Sequence, residues 1–134
     1  MRSYDDVHFD PPAPVAEVVL RDPTSKRAVP RVLMLLDTGS DVTIIPRRAV
    51  EILKLSTSSE APFRLAAFDG TESVHPVVRL ELEVCGRRFR GRYVLHDEEI
   101  GILGRNVLNR LLLLFDGPHL AWDRYSARPP WEQA

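Results

Sequence analysis

Cysteine is nearly missing from this chain. Cys85 is the only one in 134 residues, so no intrachain disulfide can form and oxidising export gains no support. Its place beside Gly86, in an expected hairpin and outside any motif, suits a small packing residue. No apolar stretch approaches the ~18 residues of a spanning helix. The opening Met1-Arg2-Ser3-Tyr4-Asp5-Asp6 lacks the basic-then-apolar layout of a signal peptide, so the expectation for a complete protein is cytoplasmic. Charge of one sign is also lacking. Eighteen Lys and Arg against 19 Asp and Glu leave a net charge of −1, which argues against nucleic acid or an anionic membrane as partner. The arginines at 87, 88, 90 and 92 are expected along the solvent face of one strand. His8, His75, His96 and His119 are scattered without paired ligand spacing, and no glycine-rich loop could cradle a phosphate. No metal and no cofactor are expected.

The chain does contain Asp37-Thr38-Gly39, placed directly after the apolar run Val32-Leu33-Met34-Leu35-Leu36. A strand that ends by delivering a carboxylate onto a Thr-Gly turn is costly unless that charge is paired or functional. Ser40 and Asp41 follow, then a second apolar run from Val42 to Ile45. The order is strand, Asp-bearing loop, strand.

Around this triplet the chain divides into short extended segments. Residues 1–14, with Pro11, Pro12 and Pro14, suggest an extended lead-in. Strands are expected over 15–20 and 28–36. Pro46 suits a first helical position, with a short helix over 47–55 and a loop over 56–62. Residues 63–68 and 71–84 form the arms of a hairpin around Asp69-Gly70, a strong turn dipeptide. Val78, Leu80, Leu82 and Val84 should face inward, with Arg79, Glu81 and Glu83 outward. A strand over 89–95, an acidic loop over 96–99 and a short strand over 100–103 come next. A helical turn over 105–110, a buried strand over 111–115 and a last strand over 119–123 complete the reading. The tail from 124 reads as disordered. Many short strands and little helix indicate an all-β barrel or sandwich in a single domain.

A second element, Gly101-Ile102-Leu103-Gly104-Arg105-Asn106-Val107-Leu108-Asn109, lies far downstream of the triplet. Together the two resemble the retropepsin-like aspartic proteases, which pair an apolar–apolar-Asp-Thr-Gly-Ser/Ala motif with an Ile-Leu/Ile-Gly-Arg segment that opens a short helix. The resemblance covers roughly residues 15–123. It implies a closed barrel of the retropepsin-like acid-protease type, with one short helix after the catalytic loop and another near the C-terminal part. It makes Asp37 the catalytic residue. Thr38 would reach across a symmetry axis, Gly39 would admit the substrate backbone, and Ser40 would orient the Asp37 carboxylate. Asp41 and Arg105 would form an ion pair beneath the site, with Ile102, Leu103 and Gly104 as the second loop. Phe68, Asp69, Gly70 and Thr71 would form the tip of a flap, although viral relatives carry more glycine there. Retroviral enzymes also interleave short terminal strands between subunits, whereas this chain continues through Asp116-Gly117-Pro118.

Hydrolysis by carboxylates needs two of them, one to accept a proton from water and one to donate to the carbonyl oxygen. Two Asp side chains about 3 Å apart cannot both ionise, so they share a proton. This chain has one Asp-Thr-Gly, so the second Asp must come from another copy across a two-fold axis, as the resemblance implies. The expected activity is that of a homodimeric aspartic endopeptidase acting on extended peptide. Such an enzyme could also be a maturation protease cut from a larger polyprotein. The competing expectation is a dimeric module of the same fold that binds peptide without useful catalysis.

Overall fold

The computed structural model describes residues 1–56 and 62–125. In chain order the elements are β1 (Arg2–Ser3), β2 (Val15–Arg21), β3 (Ala28–Leu36), β4 (Ile44–Pro46), α1 (Arg47–Leu53), β5 (Phe63–Ala66) and β6 (Glu72–His75). They continue with β7 (Val77–Val84), β8 (Arg87–His96), β9 (Gly101–Leu103), α2 (Arg105–Leu108), β10 (Leu113–Asp116), a 3-10 turn (Gly117–His119) and β11 (Ala121–Arg124). Six strands close into a barrel in the order β2-β3-β9-β4-β8-β7. The fold is all-β with two short α-helices, one after the Asp37 loop and one after β9, as expected.

Period-two alternation drives this closure. Val78, Leu80, Leu82 and Val84 on β7 pack inward with Val18 and Leu20 of β2 and Met34 of β3. Each such side chain stabilises the fold by roughly 1.5–3 kcal/mol on burial. Glu81 departs from the expected pattern, for it is buried on the opposite face of β7. Its partners explain this. Arg21, directly opposite on β2, donates to Glu81 Oε2 at 2.9 Å, and Arg90, opposite on β8, lies at 3.9 Å. Buried charge is tolerated when so paired. Arg87, Arg88, Arg90 and Arg92 are all exposed, in keeping with their expected solvent face.

Pro76 breaks the long second hairpin arm. It has no N–H to continue a ladder, so the chain divides there into β6, paired only with β5, and β7, which belongs to the barrel. The β5–β6 hairpin is thereby set apart as its own two-stranded sheet. Helix α1 is two residues shorter than expected, because Lys54 turns left-handed (φ 57°) and closes it onto Glu51 and Val50. The expected loop over 56–62 lies mostly outside the described residues.

A second sheet, β1-β11-β10, flanks the barrel. Within residues 1–14, Arg2–Ser3 forms β1 against β11, and Asp5 bridges Ala13. Trp122 of β11 is completely buried and anchors this sheet to the core, while Arg2 lies over its ring at 5.0 Å. The expected final strand runs from Ala121 through Arg124, and residues 126–134 of the expected tail lie outside the description. The strand expected over 111–115 begins at Leu113 and is not buried: Leu114 and Phe115 are each 44% exposed. Among the described residues it is the outermost strand of its sheet, and only Leu113 packs against the core.

Candidate active site

The barrel order contains a crossing. β9 runs parallel to β3 on one side and antiparallel to β4 on the other, so it lies between two strands that are consecutive in sequence. The loop from Asp37 to Thr43 must therefore pass over the C-terminal end of β9. Leu35 pairs with Ile102 and Leu36 with Leu103, and the Asp37 N–H continues this ladder to the Leu103 carbonyl at 3.0 Å. Asp37 is thus fixed as an extension of a buried strand, while its side chain is only half-buried.

One backbone donor holds the carboxylate. Gly39 N–H donates to Asp37 Oδ1 at 2.9 Å, and Ser40 N–H donates to the Asp37 carbonyl at 3.2 Å, a tight Asx-type turn. Asp37 Oδ2 takes no hydrogen bond from the described residues. Ser40 does not orient the carboxylate as expected. Its hydroxyl donates to the Val42 carbonyl at 2.7 Å and so closes the far side of the loop. The role expected of Ser40 falls to the Gly39 main chain, which the turn brings nearer.

Arg105 also finds a different partner. Nη1 donates to the Thr38 carbonyl at 2.7 Å, and Arg105 N–H donates to the Ser40 carbonyl at 2.8 Å. The expected Asp41–Arg105 ion pair does not form among the described residues, and Asp41 stands exposed. The Thr38 carbonyl, turned under the loop, takes the guanidinium in place of the solvated Asp41 carboxylate. The two loops are joined as expected, by different atoms.

Gly104 sits where the chains cross. A Cβ there would overlap the Val42 carbonyl and lie 2.9 Å from the Ser40 oxygen, so glycine is demanded by backbone against backbone. The crossing also uses two side chains to which the sequence reading assigned no role. Thr43 is 99% buried; its Oγ1 accepts from Gly104 N–H at 3.0 Å and donates to Asn106 Oδ1 at 2.7 Å. A hydroxyl inside the apolar run of 42–45 was the available signal, since a buried polar group needs a partner.

The β5–β6 hairpin carries the remaining expected residues. Gly70 N–H donates to the Ala67 carbonyl at 3.0 Å, and Asp69 Oδ1 accepts from the Thr71 N–H (2.9 Å) and hydroxyl (2.6 Å). These bonds hold the Asp69 carboxyl below the usual aspartate range, the hydroxyl contributing most. Phe68 projects fully into solvent at the tip. At the base, His75 Nδ1 lies 2.9 Å from the Leu95 carbonyl of β8, which ties the hairpin to the barrel wall.

Leu35 precedes Asp37 by two positions and so shares its side of the strand. It lines a surface cavity of about 410 Å³ together with Ile102, Ile100, Phe9, His8 and His96. His96 Nε2 is buried there and has no hydrogen-bond partner among the described residues, and burial pushes its imidazole below the ordinary histidine value. Among the described residues, no group of three or more His, Cys, Asp or Glu side chains is placed to hold a metal ion, and no helix is long and apolar enough to cross a membrane.

No family model matches the chain. Among solved structures it is similar to the EIAV protease complexed with the inhibitor HBY-793. The TM-score is 0.58 at 20% identity, over 79% of this chain and 91% of that one. The likeness is one of fold: a closed six-stranded barrel of the retroviral protease type.

Proposed function

We propose that the protein is an aspartic endopeptidase, active as a homodimer, in which two Asp37 side chains facing each other across a two-fold axis activate one water molecule. The observation that carries this reading is the Asp37 carboxylate itself. It is half-buried, hydrogen-bonded among the described residues through Oδ1 only, and presented on a loop locked by the Gly104 crossing in a barrel of the retroviral protease type. One such group is half of a catalytic pair. The second copy supplies the other half, and the shared proton lets one carboxyl donate while its mate accepts.

In this scheme Thr38 and Gly39, both exposed beside Asp37, meet the second copy and the substrate backbone. Arg105, Ile102, Leu103 and Gly104 hold the loop from beneath. The hairpin tip at Phe68, Asp69, Gly70 and Thr71 serves as the flap, covering an extended peptide through main-chain hydrogen bonds. The cavity beside Leu35 and Ile102 receives a substrate side chain. The arrangement calls for no cofactor.

Asp37→Asn should abolish cleavage of a denatured protein substrate while the circular dichroism spectrum stays unchanged, and wild-type activity should peak on the acidic side of neutrality. Undiminished turnover by the variant would refute the scheme. Peptide binding without hydrolysis at any pH from about 3 to 7 would instead favour a binding module.

A further inference from the structure

The cavity beside Leu35 opens on the same side of β3 as Asp37, about 7 Å along the strand from it. Its floor is apolar, built from Leu35, Ile100 and Ile102, with Phe9 of the N-terminal segment as one wall. Asp5 fixes that segment: it bridges Ala13, accepts from the Val7 and His8 N–H groups at 2.8 Å, and lies 2.8 Å from His8 Nδ1. Glu98 and Glu99, both exposed, stand at the mouth, where His8 Nε2 approaches Glu99 at 3.9 Å.

Carboxylates dominate the charge around this cavity. A second cavity, of about 350 Å³, adjoins it at His8 and continues the same face of β3 back to Leu33. Asp6 and Glu17 line it together with Asp5. Among the described residues that line the two cavities there is no lysine or arginine, in a chain that has 18 of them. Arg31 and Arg48 line a different neighbouring cavity, which meets the first at Glu99 and Ile100. Walls of one sign around an apolar floor draw in the opposite charge.

We infer that this cavity selects a substrate residue with a long aliphatic stem and a cationic head, lysine or arginine, next to the cleaved bond. The inference rests on reading Asp37 as the catalytic carboxylate, and it names the class of side chain that the cavity beside it takes. The stem lies along Leu35, Ile100 and Ile102, which cover its methylenes. The head reaches Glu98 and Glu99 at the mouth, where it also keeps its contact with water. A volume of about 410 Å³ has room for such a side chain. An acidic residue there would bring like charges together, so the same rim that attracts lysine repels glutamate. In a two-fold dimer the cavity occurs twice, once on each side of the substrate's cleaved bond. The favoured target is therefore a pair of basic residues flanking that bond in an extended segment.

The test starts from the full-length protein and a denatured protein substrate, with cut sites mapped by mass spectrometry. Cuts should fall beside Lys or Arg at several times the frequency of those residues in the substrate. In a peptide taken from one such site, replacing the flanking Lys by norleucine keeps the stem and drops the charge. This should lower kcat/KM about fivefold at low salt, and the difference should shrink to about twofold near 1 M salt. The double variant Glu98→Lys, Glu99→Lys should reverse the preference, towards Glu at the same position. Cut sites without basic enrichment, equal turnover of the Lys and norleucine peptides, or a charge-reversed protein that still prefers Lys would each overturn the inference. Efficient cleavage between apolar residues would do so while leaving the catalytic reading intact. If nothing is cleaved, the catalytic reading falls and binding still decides the selectivity. A peptide with a central Lys-Lys should then bind Asp37→Asn at least about fivefold more tightly than its norleucine-norleucine twin in fluorescence anisotropy. Equal binding of the two peptides would overturn the inference.

Discussion

Arg105 donates its guanidinium to the main-chain carbonyl of Thr38 at 2.7 Å, so the first residue of α2 clamps the loop that presents Asp37. The contact joins the Asp37 loop to the Gly104-Arg105 element across 67 positions, and it does so through a peptide oxygen that any residue at position 38 would supply. Thr38 need not be threonine for this bond, whereas the bond does depend on the long side chain at position 105.

Replacing Arg105 with Lys should cost about 1 kcal/mol, a small value because the side chain is exposed. Thermal melting should fall by about 4 °C, and kcat should drop more than KM rises because the loop that aims Asp37 loosens. An unchanged melting point together with unchanged kcat would show the clamp to be idle.

Gly104→Ala should be far more damaging. The added methyl meets the main chain of Val42 and Ser40, which no rotamer change can relieve. We expect a loss of about 3 kcal/mol or more, visible as a large fall in the urea midpoint or in soluble yield. A melting temperature within a degree of wild type would show that the crossing can open.

Thr43→Val keeps the shape and removes the hydroxyl, so the Gly104 N–H and Asn106 Oδ1 each lose a partner. The expected cost is about 2 kcal/mol or more, measured by chemical denaturation. Thr43→Ser retains the hydroxyl and should recover most of that loss. If Val and Ser behave alike, packing at position 43 matters and the hydrogen bonds do not.

Glu81 makes stability depend on pH. The hydrogen bond from Arg21, with lesser help from nearby arginine charges, holds its carboxyl below the usual glutamate value. The folded form therefore favours the carboxylate. This contribution is fully present above the ordinary glutamate value and is lost as pH falls through the lower value of the folded state. The stability difference between wild type and Glu81→Gln should be constant above about pH 5 and shrink below about pH 4. A difference independent of pH would mean that the ion pair contributes nothing in the folded state.

Much of the scaffold was legible along the chain because it depends on neighbours in sequence. Alternation marked β7, Asp69-Gly70 marked a turn, and Pro46 marked the start of α1. The failures were of another kind. The second hairpin arm was read as continuous through Pro76, although a missing N–H was there to be seen. Glu81 was assigned to solvent because its partners, Arg21 and Arg90, lie on other strands. β10 was expected to be buried because its composition is apolar, and composition cannot say whether a strand lies in the middle of a sheet or at its edge.

The sequence alone determined that a carboxylate would stand at the end of a buried strand, in a chain of short strands with a Gly-Arg element downstream. Those are properties of local pattern, and pattern is carried by adjacent residues. Only the tertiary structure decided what each polar group would bond to: Gly39 rather than Ser40 for Asp37, and Thr38 rather than Asp41 for Arg105. The physical reason is the passage of the Asp37 loop over β9. It brings main-chain oxygens and Thr43 within 3 Å of residues more than sixty positions away, and hydrogen bonds form with whatever lies within reach.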